Sequence, residues 1–393
     1  MSDSGFDQEA FRSEVARFLV ENWVKAPGGR PDISEFRRRA IDAGYVYRTV
    51  PREYGGGAQA PDPLKSLIVG EEFDRVRAPR ELPHVGSNLV ISTLLAAGAD
   101  WQKERFIRRT IDGEYIWCQG FSEPGAGSDL ASLRTKAELV GDEWVINGHK
   151  IWNSSGHIAT HMLLLARTEP DAPKHQGITV LLVRMKQPGV TVRPLRQITG
   201  QAGFNEIFLD DVRTPAHWMV GNRGEGWQVS RKTLVLERNI VGAAGRTEEI
   251  FDKLLRLART VQIDGRPAIA DPLIRDELGR IGGMVHAHKA NAKRQFDNAV
   301  QGRADPPASG PLNKLYNSAI LELIGRVAQK VMGADVLGGA TEAPAGPQRW
   351  ISQYMNSIAA QIGGGTSNIQ RNIIAEHGLG MPRARELQTD ATA

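Results

Sequence analysis

The spacing of apolar residues changes twice along this 393-residue chain. From residue 6 to about 118, in stretches such as FDQEAFRSEVARFLVENW, they recur at three- and four-residue intervals, which predicts helices. From about 119 to 220 they alternate with polar residues or form short apolar runs, which predicts strands. Helical spacing returns from about 226. A doubly wound sheet needs strands that alternate with helices, so this order excludes one.

The two changes of period divide the chain into three expected domains. They are a helical part at 1–118, a compact β unit at 119–225 and a second helical part at 226–393. Within the β unit, EWVINGHKIW predicts a hairpin that turns at Asn147–Gly148. The last part contains four long helical segments, the fourth after IGGGTS, which suggests a helix bundle.

Composition restricts the class of protein. Hydrophobic residues make up 41% and charged residues 24% of the chain, as in soluble globular proteins. The polar, acidic N-terminus and the lack of a long apolar run predict a cytoplasmic protein with no membrane partner. The chain has a single cysteine, Cys118, which excludes a disulfide framework and a cysteine-rich zinc site, and we expect no metal. The net charge is +4, but the sequence lacks the dense basic stripe of a protein that binds nucleic acid, so we expect no nucleic-acid partner.

Two glycine-rich stretches are candidate ligand loops. QGFSEPGAGSDL (119–130) lacks the third glycine and the following helix of a dinucleotide fingerprint, so it is either a ligand loop or an inter-domain connection. QIGGGTSNIQRN (361–372) places three glycines before a predicted helix start. Glycine permits positive φ and close approach of backbone to a ligand, although a simple turn capped by Thr366 or Ser367 has the same pattern.

Six segments in order resemble the acyl-CoA dehydrogenase family over nearly the whole chain. They are SEPGAGSDL, NGHKIWNSSG, FNEIFLDDVRTP, VGNRGEGW, LERNIVGAAG and IGGGTSNIQRNIIAEHGLG. The resemblance implies a mainly α fold with a central β-barrel domain, between a helical N-terminal domain and a C-terminal four-helix bundle. It also implies FAD as cofactor and a homo-oligomer, either a tetramer or a dimer.

The resemblance also implies which residues meet the FAD. Phe121 and Ser122 would lie beside the flavin ring, Trp152 would pack against it, and Ser154 would reach its N5 edge. A flavin needs an apolar wall and a few hydrogen bonds, which these residue types supply. Without the motifs, Trp152 would be read as a core aromatic. The full set of implied cofactor contacts is Gln119, Phe121, Ser122, Gly127, Ser128, Trp152, Ser154, Thr366 and Asn368.

Many family members carry a catalytic glutamate where this chain has Gly364. A branch that resembles isovaleryl-CoA and long-chain dehydrogenases takes it instead from the first long bundle helix, in the segment LER, which points to Glu237. The residues three and four positions away include no basic side chain, so Glu237 has no ion-pair partner on its own helix. A carboxylate on this apolar face should have a raised pKa, as a catalytic base would, although a distant arginine could pair with it.

The resemblance then assigns the substrate contacts. The Gly364 N–H, with a flavin hydroxyl, would polarise the thioester carbonyl. Ser128, Arg238 and Gly364 would line the substrate site. Two departures concern the cofactor: Asn368 replaces the usual Glu or Gln, and Gln262 stands where many members have an FAD-contacting arginine, with Arg266 a few residues later.

The expected activity is α,β-dehydrogenation of an acyl-CoA to the 2,3-enoyl-CoA, with electrons passed to an electron-transferring flavoprotein. Alternatives within the class are a substrate on acyl-carrier protein, or oxygen as acceptor. Two further alternatives are a flavin-bearing binding protein and an inactive subunit of a hetero-oligomer.

Overall fold

The structure, a computed structural model, describes residues 6–25, 32–241, 244–333 and 347–382. The chain divides into two compact units. The first comprises Met1–Gln197 and Gln201–Thr233, and the second comprises Ile198–Gly200 and Leu234–Ala393. The first unit contains the sheet, and the second contains the longest helices.

Short helices open the first unit, and acidic side chains cap several of them. Asp62 accepts a hydrogen bond from the Lys65 N–H at 2.9 Å, and Pro63 takes the first helical position, where no N–H is needed. The helices are α1 (Gln8–Leu19), α2 (Ile33–Asp42), α3 (Pro63–Arg75), α4 (Val85–Ala97), α5 (Asp100–Gln102) and α6 (Arg108–Ile111).

Eight strands of the first unit form one mixed sheet. They are β1 (Trp117–Gly120), β2 (Lys136–Val140), β3 (Glu143–Lys150), β4 (His161–Arg167), β5 (Ile178–Arg184), β6 (Val190–Leu195), β7 (Phe204–Pro215) and β8 (Met219–Val220). Their order is β6-β7-β3-β2-β4-β5-β8, and β1 also pairs with β4. The apolar runs of β4 and β5 are buried at all but one position each, as expected for central strands.

The mainly α fold with a central β domain is confirmed, but the sheet does not close into the implied barrel within the described residues. The edge strand β6 pairs only with β7, and the two-residue β8 pairs only with β5. A barrel requires each strand to have two neighbours, so the sheet remains open.

The predicted turn at Asn147–Gly148 is wrong. The hairpin between β2 and β3 turns at Gly141–Asp142, where Gly141 has φ +65°. Asn147 and Gly148 lie inside β3 at an irregularity in its pairing with β7. A Cβ on Gly148 would lie 2.3 Å from Thr135 Oγ1, so this glycine serves close packing between strands.

Six α-helices of the described residues lie wholly or partly in the second unit. They are α7 (Gly226–Val241), whose residues up to Thr233 belong to the first unit, α8 (Ala244–Thr260), α9 (Pro272–Val300), α10 (Ser309–Met332), α11 (Pro347–Ala360) and α12 (Ser367–Ile373). Strands β9 (Gln262–Ile263) and β10 (Arg266–Pro267) form a small hairpin. The predicted long helix after IGGGTS is wrong: α12 is short, and the long α11 precedes the turn. Among the helices described, none combines the length and the apolar character needed to span a bilayer.

A buried histidine in the first unit lies among aromatic rings. His161 at the start of β4 is 4.2 Å from the Tyr115 ring and 4.9 Å from the Trp117 ring, between centroids. Burial, with the positive charges of Arg184 and Arg105, lowers the pKa of His161 to about 4. The imidazole is therefore neutral in the folded protein at neutral pH.

This histidine should make the first unit sensitive to acid. Below the unfolded pKa of about 6.5, the imidazole is protonated in the unfolded chain but stays neutral in the folded protein. The free energy of unfolding therefore falls as the pH drops from about 6.5 towards 4. The loss should reach about 3 kcal/mol. In His161→Phe, which keeps a ring in the cluster, this part of the pH dependence should vanish. Urea unfolding of both proteins from pH 7 to pH 4 measures this effect. The same change of unfolding free energy with pH in His161→Phe and the wild type would contradict the prediction.

Candidate active site

Three of the predicted cofactor residues lie in β1 or on the loop that follows it: Gln119 is in β1, and Phe121 and Ser122 are on the loop. Gln119 is half-buried and Phe121 is buried. The Ile151 N–H donates to the Ser122 carbonyl at 3.0 Å, and the Asn153 side-chain amide donates to the Gln119 carbonyl at 2.7 Å. These bonds join the loop to the segment after β3, so the structure brings Gln119, Phe121 and Ser122 beside the segment that carries Trp152 and Ser154.

Trp152 has an unusual backbone and an unusual exposure. Its φ is +64°, and 58% of its surface is accessible. Ser155 also has positive φ, and the Ser154 side chain is exposed. A bulky residue in the left-handed region is rare, and such strain concentrates at functional sites. An exposed indole beside exposed hydroxyl and backbone groups fits the flat, partly apolar face of a flavin.

Gly127 and Ser128 lie at the exposed tip of the same loop. The backbone groups of Glu123 and Ala126 exchange two hydrogen bonds of 3.0 Å, which close a tight turn before the tip. Apart from Gly127 and its two neighbours in the chain, no described residue has an atom within 4 Å of the position where a Gly127 Cβ would stand. The tip is thus open to a ligand, and the described residues supply no contact that would occupy it.

Sequence reasoning missed a buried ion pair under this loop. Lys150 is fully buried, and its Nζ donates to Glu123 Oε1 at 2.9 Å and to the Phe121 carbonyl at 3.0 Å. The other contacts of the Glu123 carboxylate are the N–H groups of Arg134, at 2.7 Å, and Thr135, at 2.8 Å. The pair fixes the loop backbone at the predicted flavin-facing residue Phe121.

The charges of this pair support each other. Burial alone would raise the pKa of Glu123, but the Lys150 ammonium and the hydrogen bonds to the carboxylate outweigh burial and lower it. Burial lowers the pKa of Lys150 to about 8, and Glu123 opposes that change. Both groups are therefore charged at neutral pH. The sequence held one signal, because Lys150 shares the inward-facing parity of Trp144 and Ile146 on β3.

The glycine-rich turn before α12 belongs to the second unit. Gly364 has φ +66° and Gly365 has φ +89°, so both need glycine. The Thr366 hydroxyl caps α12 by accepting from the Ile369 N–H at 3.3 Å. The Gly364 N–H has no acceptor among the described residues, so it is free to bind a ligand oxygen.

The remaining predicted residues have fewer described contacts. Glu237 and Arg238 lie on α7, but their side chains fall outside the described residues, so their roles stay predictions. The exposed Asn368 accepts from Arg371 at 3.1 Å through its Oδ1. Gln262 and Arg266 are exposed on the β9–β10 hairpin. In the described ranges no three His, Cys, Asp or Glu side chains gather as a metal site would require.

Comparisons with known proteins agree along the chain. Models of the acyl-CoA dehydrogenase N-terminal, middle and C-terminal domains match residues 6–114, 118–212 and 224–379. The acyl-CoA dehydrogenase IpdE1 of Mycobacterium tuberculosis is 38% identical over 391 residues, covering 96% of this chain and 98% of that protein.

Two solved structures share the fold of this chain. The "Tcur3481-Tcur3483 steroid ACAD" matches with a TM-score of 0.77 and 27% identity, covering 96% of this chain and 98% of that one. The ChsE4-ChsE5 complex from Mycobacterium tuberculosis matches with a TM-score of 0.76 and 28% identity, covering 98% of this chain and 100% of that one.

Proposed function

This chain belongs to the acyl-CoA dehydrogenase family, whose three domain models it matches in order, and we propose that it uses FAD to convert an acyl-CoA into its 2,3-enoyl-CoA. It is thus an oxidoreductase of a flavoprotein family. The proposed domain division is 1–118, 119–225 and 226–393, and the proposed location is the cytoplasm.

The observation that carries the cofactor proposal is the surface around Trp152. Its exposed indole, held at positive φ, lies on the segment that hydrogen-bonds the loop of Gln119, Phe121 and Ser122. With Ser154, these residues would hold the flavin ring, while Gly127 and Ser128 would approach its phosphates and Thr366 and Asn368 would contact the cofactor. FAD, when bound, would accept the hydride that leaves the substrate β carbon.

The chain's own residues would manage the proton and the thioester. Glu237 would take the proton from the carbon α to the thioester carbonyl, which no other assigned group can accept. The free Gly364 N–H would donate to the thioester oxygen as negative charge develops there. Arg238 and Ser128 would help to hold the substrate. The absent side chain at Gly364 leaves space beside the reacting carbons.

The names of the structural neighbours bear on substrate and assembly. One neighbour has a paired name and is called a steroid ACAD, and the other is called the ChsE4-ChsE5 complex. A bulky, ring-bearing acyl group is therefore our first choice of substrate, with electron-transferring flavoprotein as acceptor. A complex with a second, different subunit becomes the stronger candidate for assembly than the homo-oligomer that the motifs imply.

Turnover by the purified flavoprotein tests this function. It should be assayed alone and with a co-expressed homologous subunit, using straight, 2-methyl-branched and steroid-side-chain acyl-CoAs. We expect the ring-bearing thioester to give the highest kcat/KM, with electrons reaching electron-transferring flavoprotein faster than they form peroxide. Peroxide as the main product would identify an oxidase, and a requirement for acyl-carrier protein would change the carrier. No turnover with any thioester would reject the proposal.

A further inference from the structure

The turn that carries Gly364 is held by one buried side chain. Gln370 of α12 is fully buried, and its Nε2 donates to the Gly364 carbonyl at 3.0 Å and to the Gly365 carbonyl at 3.3 Å. The Ser367 N–H closes the turn by donating to the Gln361 carbonyl at 3.1 Å. The amide of Gln370 therefore fixes the peptide plane that follows Gly364, in a stretch where glycine would otherwise leave the backbone mobile.

The other half of this amide lacks a partner. Gln370 Oε1 is buried and has no hydrogen-bond donor among the described residues. On α10, the buried Asn317 Oδ1 likewise has no donor, and the buried Lys314 Nζ has no acceptor among the described residues. Lys314 is fully buried, and burial lowers its pKa to about 8. Buried polar groups without partners are costly and rare, so a donor and two acceptors of this kind require an explanation.

Helices α10 and α12 run side by side in opposite directions. At one end, Ser318 Oγ donates to the Ala360 carbonyl at 2.9 Å, just before the glycine turn. At the other end, a Cβ on Gly378 would lie 2.9 Å from the Ala308 Cβ. Lys314 stands one helical turn before Ser318 and so shares its face of α10. Helix α10 packs against both α11 and α12.

Gln370 occupies the matching position on α12. The close approach of Gly378 to Ala308 sets the register: Gln370 lies eight residues before Gly378, and Tyr316 lies eight residues after Ala308, which is about 12 Å of helix rise in each case. Lys314 and Gln370 thus lie at similar levels of two packed helices, and the ammonium and the amide oxygen are both buried and without a partner among the described residues. A gap beyond direct hydrogen-bond distance between two such groups is the usual place of an ordered water. Asn317 Oδ1 would give that water its third partner.

From this geometry we propose that Lys314, Gln370 and Asn317 share one buried water, and that this network holds the turn whose Gly364 N–H binds the thioester. Lys314 and Gln370 are then positioning residues, and their effect on catalysis rests on the proposed function. The network itself does not depend on that function. Its removal should loosen the turn whatever reaction the protein performs.

Hydrogen exchange of the flavin-loaded full chain tests the network without an activity assay. In Lys314→Met and in Gln370→Leu, the protected amides of the peptide 361–370 should exchange about five- to tenfold faster, because one buried hydrogen bond is lost from the path. The double variant should exchange no faster than Gln370→Leu alone. Lys330→Met is the matched control and should change nothing in this peptide, because it removes an exposed lysine of α10 that pairs with Glu277 of α9.

The melting temperature separates positioning from general stability. Methionine replaces a buried ammonium by an apolar chain of similar length, so Lys314→Met should melt no lower than the wild type. A looser turn at unchanged or higher melting temperature supports the network. Three results would overturn it: unchanged exchange in Lys314→Met, independent effects in the double variant, or faster exchange spread equally over α10 with a lower melting temperature.

If the proposed function holds, the kcat and KM of the variants give a second test of the network. Lys314→Met should then lower kcat several-fold with little change in KM, because the substrate still binds while the Gly364 N–H is less well aimed. If wild-type protein shows no dehydrogenation, the proposed function fails, but the exchange result still decides the network.

Discussion

Glu237→Gln is expected to lower kcat by about 10²–10⁴-fold while the protein keeps its fold and its flavin. Glutamine has nearly the same shape as glutamate but cannot accept the α proton. No acid or base stands in the glycine turn at 363–365 to replace it. The variant should bind acyl-CoA with an affinity close to that of the wild type, because the change removes a step of the reaction rather than a binding contact.

Steady-state assays with an artificial electron acceptor measure this effect. Glu248→Gln is the matched control, since Glu248 lies on the next helix, α8, and pairs at the surface with Lys289. That control should retain wild-type kcat. Equal activity in Glu237→Gln and the wild type would mean that another group takes the proton, and the assignment of Glu237 would be abandoned.

Lys150→Met is expected to destabilise the first unit by about 3–5 kcal/mol and to release flavin. The variant leaves the Glu123 carboxylate buried with only backbone N–H partners, and breaking a buried pair in this way is far more costly than removing both charges. The Phe121 carbonyl also loses its donor. Because that carbonyl lies on the proposed flavin loop, loss of cofactor should accompany the loss of stability.

Two comparisons make this prediction specific. Lys136→Met removes an exposed lysine that pairs with Glu138, and both residues lie on β2, the strand next to β3. This change should lower the free energy of unfolding by at most about 1 kcal/mol. The double variant Lys150→Met/Glu123→Gln should recover part of the stability that the single variant loses. Urea unfolding gives the free energies, and absorbance of the filtrate gives the released flavin. If Lys150→Met were as stable as Lys136→Met and kept its flavin, the pair would not anchor the loop.

Local patterns predicted the type of most elements but not how the sheet ends. The alternation in β3 and the apolar runs of β4 and β5 depend on local burial, which the sequence displays directly. Closure of the sheet would need pairing between its two edge strands, β6 and β8, and no local pattern encodes which strands pair. The dipeptide Asn147–Gly148 misled because close packing and a tight turn both favour glycine.

The helix before the glycine turn shows a readable signal that was overlooked. Trp350, Tyr354 and Ile358 of α11 follow one another at four-residue spacing, which is helical. The motif IGGGTS drew the prediction to the segment after the turn, where α12 spans only seven residues. A π-helical turn, Ile374–Gly378, follows α12 directly and ends the helical segment.

In the candidate site, motifs predicted the residues that would contact the cofactor but not the residues that support them. The motifs predicted Phe121, Ser122 and Trp152 as cofactor contacts, and the structure joins the loop after β1 to the segment after β3 by hydrogen bonds. The supporting residues Lys150 and Gln370 were missed, because a buried amine or amide is recognised only when its partners are known. Those partners come from distant parts of the chain or from the backbone, and spacing alone does not identify them.

Anaerobic mixing of the purified flavoprotein with acyl-CoA, followed by the visible flavin absorbance, tests the central claim most directly. We predict that the wild type loses its yellow colour with one equivalent of its preferred thioester and forms the 2,3-enoyl product, while Glu237→Gln stays yellow. Bleaching of Glu237→Gln at the wild-type rate, or no bleaching of the wild type by any thioester of the panel, would contradict the account.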